Sequence, residues 1–184
     1  MNRKCVYLTE GECEEKLIKA LKENPTLILP GKVKRFNVIQ SELKTSNLVT
    51  FSPGSMVILV FDTDVDYTEH LKKNIELLKK RCAGVKVVTL AQVLNFEDEI
   101  KRCTDVNRAQ ELTRSQSLRD FKSAVNKMKD SEFRNALERH KLDVSKLWTK
   151  EPPKGFDFIE QGAETIKKKK QYNSMTISCL GLVF

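Results

Sequence analysis

Seven acidic residues stand in two tight groups. Glu10, Glu12, Glu14 and Glu15 follow a short apolar run, and Asp62, Asp64 and Asp66 end a longer one. Clustered carboxylates repel: two unit charges about 4 Å apart cost roughly 4 kcal/mol at an effective dielectric near 20. A hard divalent cation with oxygen ligands, Mg²⁺ or Mn²⁺, offsets that repulsion, and such ions stabilise the attacking and leaving oxygens of phosphoryl transfer. Asp62 and Asp64 lie two apart, so both can project to one side of an extended strand end. Each acid also has a plainer role open to it. Thr9 and Glu12 have capping-box spacing, Glu14 and Glu15 suit a first helical turn, and Asp64 and Asp66 suit an Asx turn. The two groups together, each at a strand end, favour a site. Glu97, Asp98 and Glu99 are a candidate third arm, at a position where acids also serve simply as helix starters.

The elements that must position these acids follow from periodicity. Residues 3–8 read as a buried strand, followed through Gly11 by an amphipathic helix with Leu17, Ile18 and Leu21 on one face. That is the first half of a βαβ unit. Residues 33–39 form a second strand candidate. Residues 56–61 are apolar without alternation, as expected of a central parallel strand covered on both faces. A helix capped by Thr68 carries Leu71, Ile75, Leu78 and Cys82, and residues 85–90 form another buried strand. Strands alternating with helices predict an α/β fold, a mostly parallel, doubly wound sheet flanked by helices. Ligands then sit at the carboxyl ends of the strands, near the switch point. If the first and third strands are neighbours, Glu10 and Asp62 converge there.

The pattern changes after Leu90. Ser117 caps a helix with Leu118, Phe121, Val125 and Met128. Phe133, Ala136, Leu137 and His140 form a second stripe, with His140 read as a packing residue. Trp148, ahead of Pro152 and Pro153, reads as a loop anchor. Residues 163–172 read as a basic helix, and 175–184 as an apolar strand docking on the sheet. The expected division is an α/β core over 1–100 and a helical, basic extension over 101–184.

Composition sets the outer limits. The chain has 184 residues, 40% hydrophobic and 32% charged, enough for a proper core and unlike a disordered chain. No run of eighteen apolar residues and no signal peptide is found, so a soluble, cytoplasmic protein without membrane contact is expected. Five scattered cysteines without a CxxC pair, and two distant histidines, argue against zinc and against a disulfide scaffold. The net charge of +8 is uneven. Residues 1–100 carry 15 Lys+Arg against 14 Asp+Glu, and residues 101–184 carry 18 against 11. That excess suits a polyanion such as nucleic acid, with Lys167, Lys168, Lys169 and Lys170 the candidate phosphate contacts.

The stretch from Tyr7 to Glu14, with Glu10, Gly11 and Glu14 in its EG-x-x-E pattern, resembles the first motif of the Toprim family, closest to its OLD-type and RloB-like nuclease branch. Phe61, Asp62, Thr63 and Asp64 resemble the second motif, a hydrophobic strand ending in DxD. The likeness covers roughly residues 3–90. It implies a Mg²⁺- or Mn²⁺-dependent nuclease of the kind found in phage and mobile-element defence. Glu10 would act as general base or acid and metal ligand. Asp62 and Asp64 would be catalytic metal ligands, and Glu14 a further ligand. Cys13 departs from the small hydroxyl residue common at that place, and the expected organisation lacks the ATPase domain that precedes the core in OLD proteins. A partner ATPase or other subunit is one implication. The alternative is a non-catalytic binding or regulatory subunit of a larger nucleic-acid-processing complex. A phosphatase or receiver-like domain using Asp62 as acceptor is weaker, since later strand ends lack the matching Lys and Ser/Thr.

Overall fold

The computed structural model describes residues 4–82 and 84–168. Four parallel strands, β1 (Cys5–Thr9), β2 (Lys32–Arg35), β3 (Met56–Asp62) and β4 (Lys86–Gln92), form one sheet in the order β2-β1-β3-β4. β1 is therefore flanked by β2 on one side and β3 on the other. The chain leaves β1 in one direction and returns to its far side, so the crevice above β1 and β3 is the topological switch point of the sheet. The α/β fold with a parallel sheet flanked by helices is Rossmann-like.

Burial explains the strand sequences. Residues of β3 from Met56 to Phe61 are all buried, because helices cover both faces. Cys5, Tyr7, Met56, Ile58, Val60, Val88 and Leu90 face one core, while Val6, Leu8, Val57, Leu59, Phe61 and Ala91 face the other. Helices α1 (Glu12–Lys22), α4 (Phe96–Cys103), α5 (Leu118–Lys127) and α6 (Asp130–Arg139) pack on the first face, through Leu17, Ile18, Leu21, Ile100, Phe121, Val125, Phe133 and Leu137. The short helix α2 (Thr45–Leu48) and α3 (Glu69–Arg81) cover the second, through Leu48, Leu71, Ile75 and Leu78. Lys16 ties α1 to the α5–α6 junction by donating to the Met128 carbonyl at 2.6 Å and pairing with Asp130 at 3.0 Å.

Some elements differ from the sequence reading. β2 ends at Arg35, four residues early, because Asn37 turns the chain: its Oδ1 accepts from the Ile39 and Gln40 N–H groups. Buried Asn74 of α3 then fixes that loop, accepting from Leu43 N–H and donating to the Val38 and Ser41 carbonyls. Thr68 stands at the N-cap of α3 without a side-chain capping bond, whereas Ser117 caps α5 by accepting from Asp120 N–H. The expected basic helix over 163–172 is a single turn, α7 (Ala163–Ile166). It stops because Lys167 enters an antiparallel bridge with Ile28. The rest of that segment and the expected strand over 175–184 lie outside the described residues. His140 ends α6 half-buried, its Nδ1 3.1 Å from Asp105 Oδ1. Among the described residues no helix is long and apolar enough to cross a membrane.

Candidate functional site

Glu10 and Asp62, one acid from each group, meet at the switch point. Glu10 N–H extends the β1–β3 ladder by donating to the Val60 carbonyl at 3.1 Å. The Glu10 carboxylate then lies over the end of β3: Oε2 accepts from Asp62 N–H at 3.1 Å, and Oε1 accepts from Asn37 Nδ2 at 3.0 Å. Residues 52 positions apart are thus joined directly. Asp62 closes β3 half-buried, and its Oδ1 is buried with no hydrogen-bond partner among the described residues. The next two residues are pinned to the loop after β4: Thr63 N–H donates to the Gln92 and Leu94 carbonyls, and Asp64 N–H to Leu94 at 3.0 Å. Asp64 is exposed at the rim.

Two further acids approach from the helices. Glu14, in the first turn of α1, is 5% exposed. Its Oε2 accepts from Gly11 N–H at 2.8 Å, so the N-terminus of α1 begins at Gly11 and not through a Thr9–Glu12 box. A Cβ at position 11 would fall 2.8 Å from that oxygen, so a larger residue there would displace the Glu14 carboxylate. Glu97 enters from α4, whose start is fixed by Asn95 Oδ1 accepting from Asp98 N–H at 3.0 Å. Lys122 of α5 reaches over the group, its Nζ 3.0 Å from Glu97 Oε1.

Electrostatics bind these residues into one unit. Burial, followed by the charges of Glu14, Glu10, Asp64 and Glu97, pushes the Asp62 carboxyl up to about 9. Burial also raises Glu14, with Glu10 and Glu97 adding to it against its hydrogen bonds to backbone. The Cys13 thiol is pushed up to about 12 by burial and by Glu14. Burial alone would lower Lys122, but the hydrogen bond and charge of Glu97 outweigh it and raise the ammonium. The charges of four other carboxyl groups therefore act on Asp62, and Lys122 pairs with one of them, Glu97.

A hard cation suits this donor set: all the groups are oxygens, and the orphaned Asp62 Oδ1 is an unused acceptor. Asp62, Glu10 and Glu97 are the residues that would hold it, with Asp64 at the rim. As placed, no three His, Cys, Asp or Glu side chains among the described residues surround a common centre. Glu14 is committed to Gly11, and Glu10 to Asn37 and Asp62 N–H.

The remaining candidates are elsewhere. Glu12 and Glu15 point outward to ion pairs with Arg35, with Glu15 also 2.6 Å from Lys19. Glu99 is fully buried on another side of α4 and does structural work: Oε1 accepts from Trp148 N–H at 2.6 Å, and Arg102 pairs with Oε2. Lys167 is turned inward, its Nζ donating to the Ser145 carbonyl at 2.7 Å, and burial lowers its ammonium. Lys168 is exposed, while Lys169 and Lys170 lie outside the described residues.

Sequence reasoning missed Asn37 and Lys122 as parts of the site, and missed Thr9 and Gln92 at neighbouring strand ends, whose buried side-chain polar atoms have no hydrogen-bond partner among the described residues. Asn37 and Lys122 give no signal, one being a loop amide and the other a lysine on an amphipathic helix. Gln92 does, as a polar residue ending an apolar strand beside the Asp62 strand. In comparisons with known proteins, no family model, no curated sequence and no solved structure matches this chain.

Proposed function

We propose that this chain is a divalent-metal-dependent phosphodiesterase acting on nucleic acid, in line with its Toprim-like motifs. The observation that carries the reading is the bond from Asp62 N–H to the Glu10 carboxylate, which joins the two acidic turns at the switch point. The upward shift of Asp62 supports it: the pocket resists one more negative charge unless a cation enters. When bound, Mg²⁺ or Mn²⁺ would polarise the phosphoryl group and its attacking water. Glu10, anchored by Asn37 and by Asp62 N–H, would take the proton of that water. Asp62 and Glu97 supply negative charge to retain the cation. Lys122 offsets the charge of Glu97 before the ion arrives. The Lys and Arg excess after residue 100 supplies contacts to a phosphate backbone, giving affinity that falls with salt.

Purified protein with plasmid DNA or single-stranded RNA and Mn²⁺ should cleave at least one of them and lose cleavage in EDTA. Asp62→Ala should lower the rate by about 10²-fold or more, the size of effect expected from removing one preorganised electrostatic contact to the transition state. Equal cleavage by wild type and Asp62→Ala would place the chemistry elsewhere. A non-catalytic binding role is the second reading. The lack of three ligands around one centre among the described residues favours it, and it calls for nucleic-acid binding in EDTA that survives Glu10→Gln without any cleavage.

A further inference from the structure

We propose that Thr9 and Gln92 form the inner wall of the acidic site and hydrogen-bond the water ligands of the bound divalent cation. This rests on the metal reading above and adds two neutral residues to it.

Strand alternation places them. Cys5 and Tyr7 of β1, Met56, Ile58 and Val60 of β3, and Val88 and Leu90 of β4 face the core under α1, α4 and α5. Continuing each series by two residues gives Thr9, Asp62 and Gln92 on that same face, at the carboxyl ends of three neighbouring strands. Asp62 and Gln92 are register partners, and Thr9 is paired with Val60, one step below Asp62. The helices that carry Glu14 and Glu97, α1 and α4, pack on this same face.

Thr9 and Gln92 are both 0% exposed. Thr9 Oγ1, Gln92 Nε2, Gln92 Oε1 and Asp62 Oδ1 have no hydrogen-bond partner among the described residues. Buried polar groups are almost always bonded, and leaving one unbonded is costly. Apolar residues would fill both positions with less penalty, as they do one layer down at Tyr7, Val60 and Leu90. Four buried polar atoms on one face, beside the acids, are thus left without a donor or acceptor among the described residues. Mg²⁺ and Mn²⁺ fit that need, because Mg²⁺ keeps several of its waters and is usually held by only one or two carboxylates. A Gln amide can both donate and accept, and a Thr hydroxyl can do the same, so both suit coordinated water. Such outer partners typically contribute 10–100-fold in metal affinity.

The test separates this role from simple packing, because its two expected changes run opposite ways. Gln92→Met keeps the length and removes the amide. Its urea midpoint in EDTA should match or exceed that of wild type, while its Mn²⁺ affinity by titration calorimetry should fall tenfold or more. Thr9→Val should show the same pattern with a several-fold loss, and it decides the matter should Gln92→Met fail to fold. If wild type takes up Mn²⁺ and both variants bind it equally well, Thr9 and Gln92 are not its outer shell, although the metal reading stands. If wild type takes up no Mn²⁺, the metal reading itself falls and this inference with it.

Discussion

Glu99→Ala is expected to destabilise the protein by about 3–5 kcal/mol, the range for breaking one side of a buried ion pair. Glu99 is completely buried and serves three groups at once. It accepts from the Trp148 backbone N–H at 2.6 Å, pairs with Arg102, and lies 3.7 Å from Cys103 Sγ. Trp148 is also fully buried and held with φ at +54°, a left-handed conformation that non-glycine residues resist. The Glu99 bond ties that backbone to α4. Removing it strands the Trp148 N–H and the Arg102 charge and frees the segment running to α7. A typical domain has 5–15 kcal/mol in total, so the variant should unfold at far lower urea. Glu99→Gln keeps an acceptor for Trp148 and should lose about half as much. Equal midpoints for Glu99→Ala and wild type would show that the Trp148 loop is held by its apolar contacts alone.

Asp62→Asn should have the opposite sign. In the metal-free protein the Asp62 carboxyl is held at about 9, against an ordinary value of 3.8. Between those values the folded protein keeps a proton that the unfolded chain has released. Stability therefore falls as pH rises from about 4 to about 9, with a slope approaching one proton. The amide is a neutral isostere and removes this slope. We expect Asp62→Asn to stabilise the metal-free protein at pH 8 by about 2–4 kcal/mol, less than the full linkage because neighbouring acids share the repulsion. At pH 4 the difference should vanish. The check is urea unfolding in EDTA at several pH values. Saturating Mn²⁺ should reverse the order, since only the carboxylate gains from the cation. A wild-type stability that is flat between pH 5 and 8 and matched by Asp62→Asn would mean the acids are solvated and uncoupled.

Much of this arrangement is readable in the chain. A parallel strand covered on both faces must be apolar throughout, so residues 56–61 and 85–90 announce themselves, and the acids that end β1 and β3 stand out against them. What periodicity cannot convey is which acid faces which neighbour. Glu97 and Glu99 look equivalent in sequence. Yet two residues on a helix differ by about 200°, so one reaches the pocket and the other anchors Trp148. Lys167 opens a run of four lysines and reads as a phosphate contact, whereas pairing with Ile28 turns it inward. Asn37 and Lys122 enter the site only through long-range folding, from a loop fixed by Asn74 and from a helix packed on α1 and α4. Glu14 shows a further limit: its spacing from Glu10 suits a metal ligand, and its geometry as placed serves the turn at Gly11.

The most direct test is the anomalous scattering of crystals soaked in Mn²⁺. We predict a peak above the ends of β1 and β3, about 2.1 Å from an Asp62 oxygen, with Glu10 or Glu97 swung toward it. Saturating Mn²⁺ with no peak at that crevice, and Asp62 and Glu10 unmoved, would contradict the account.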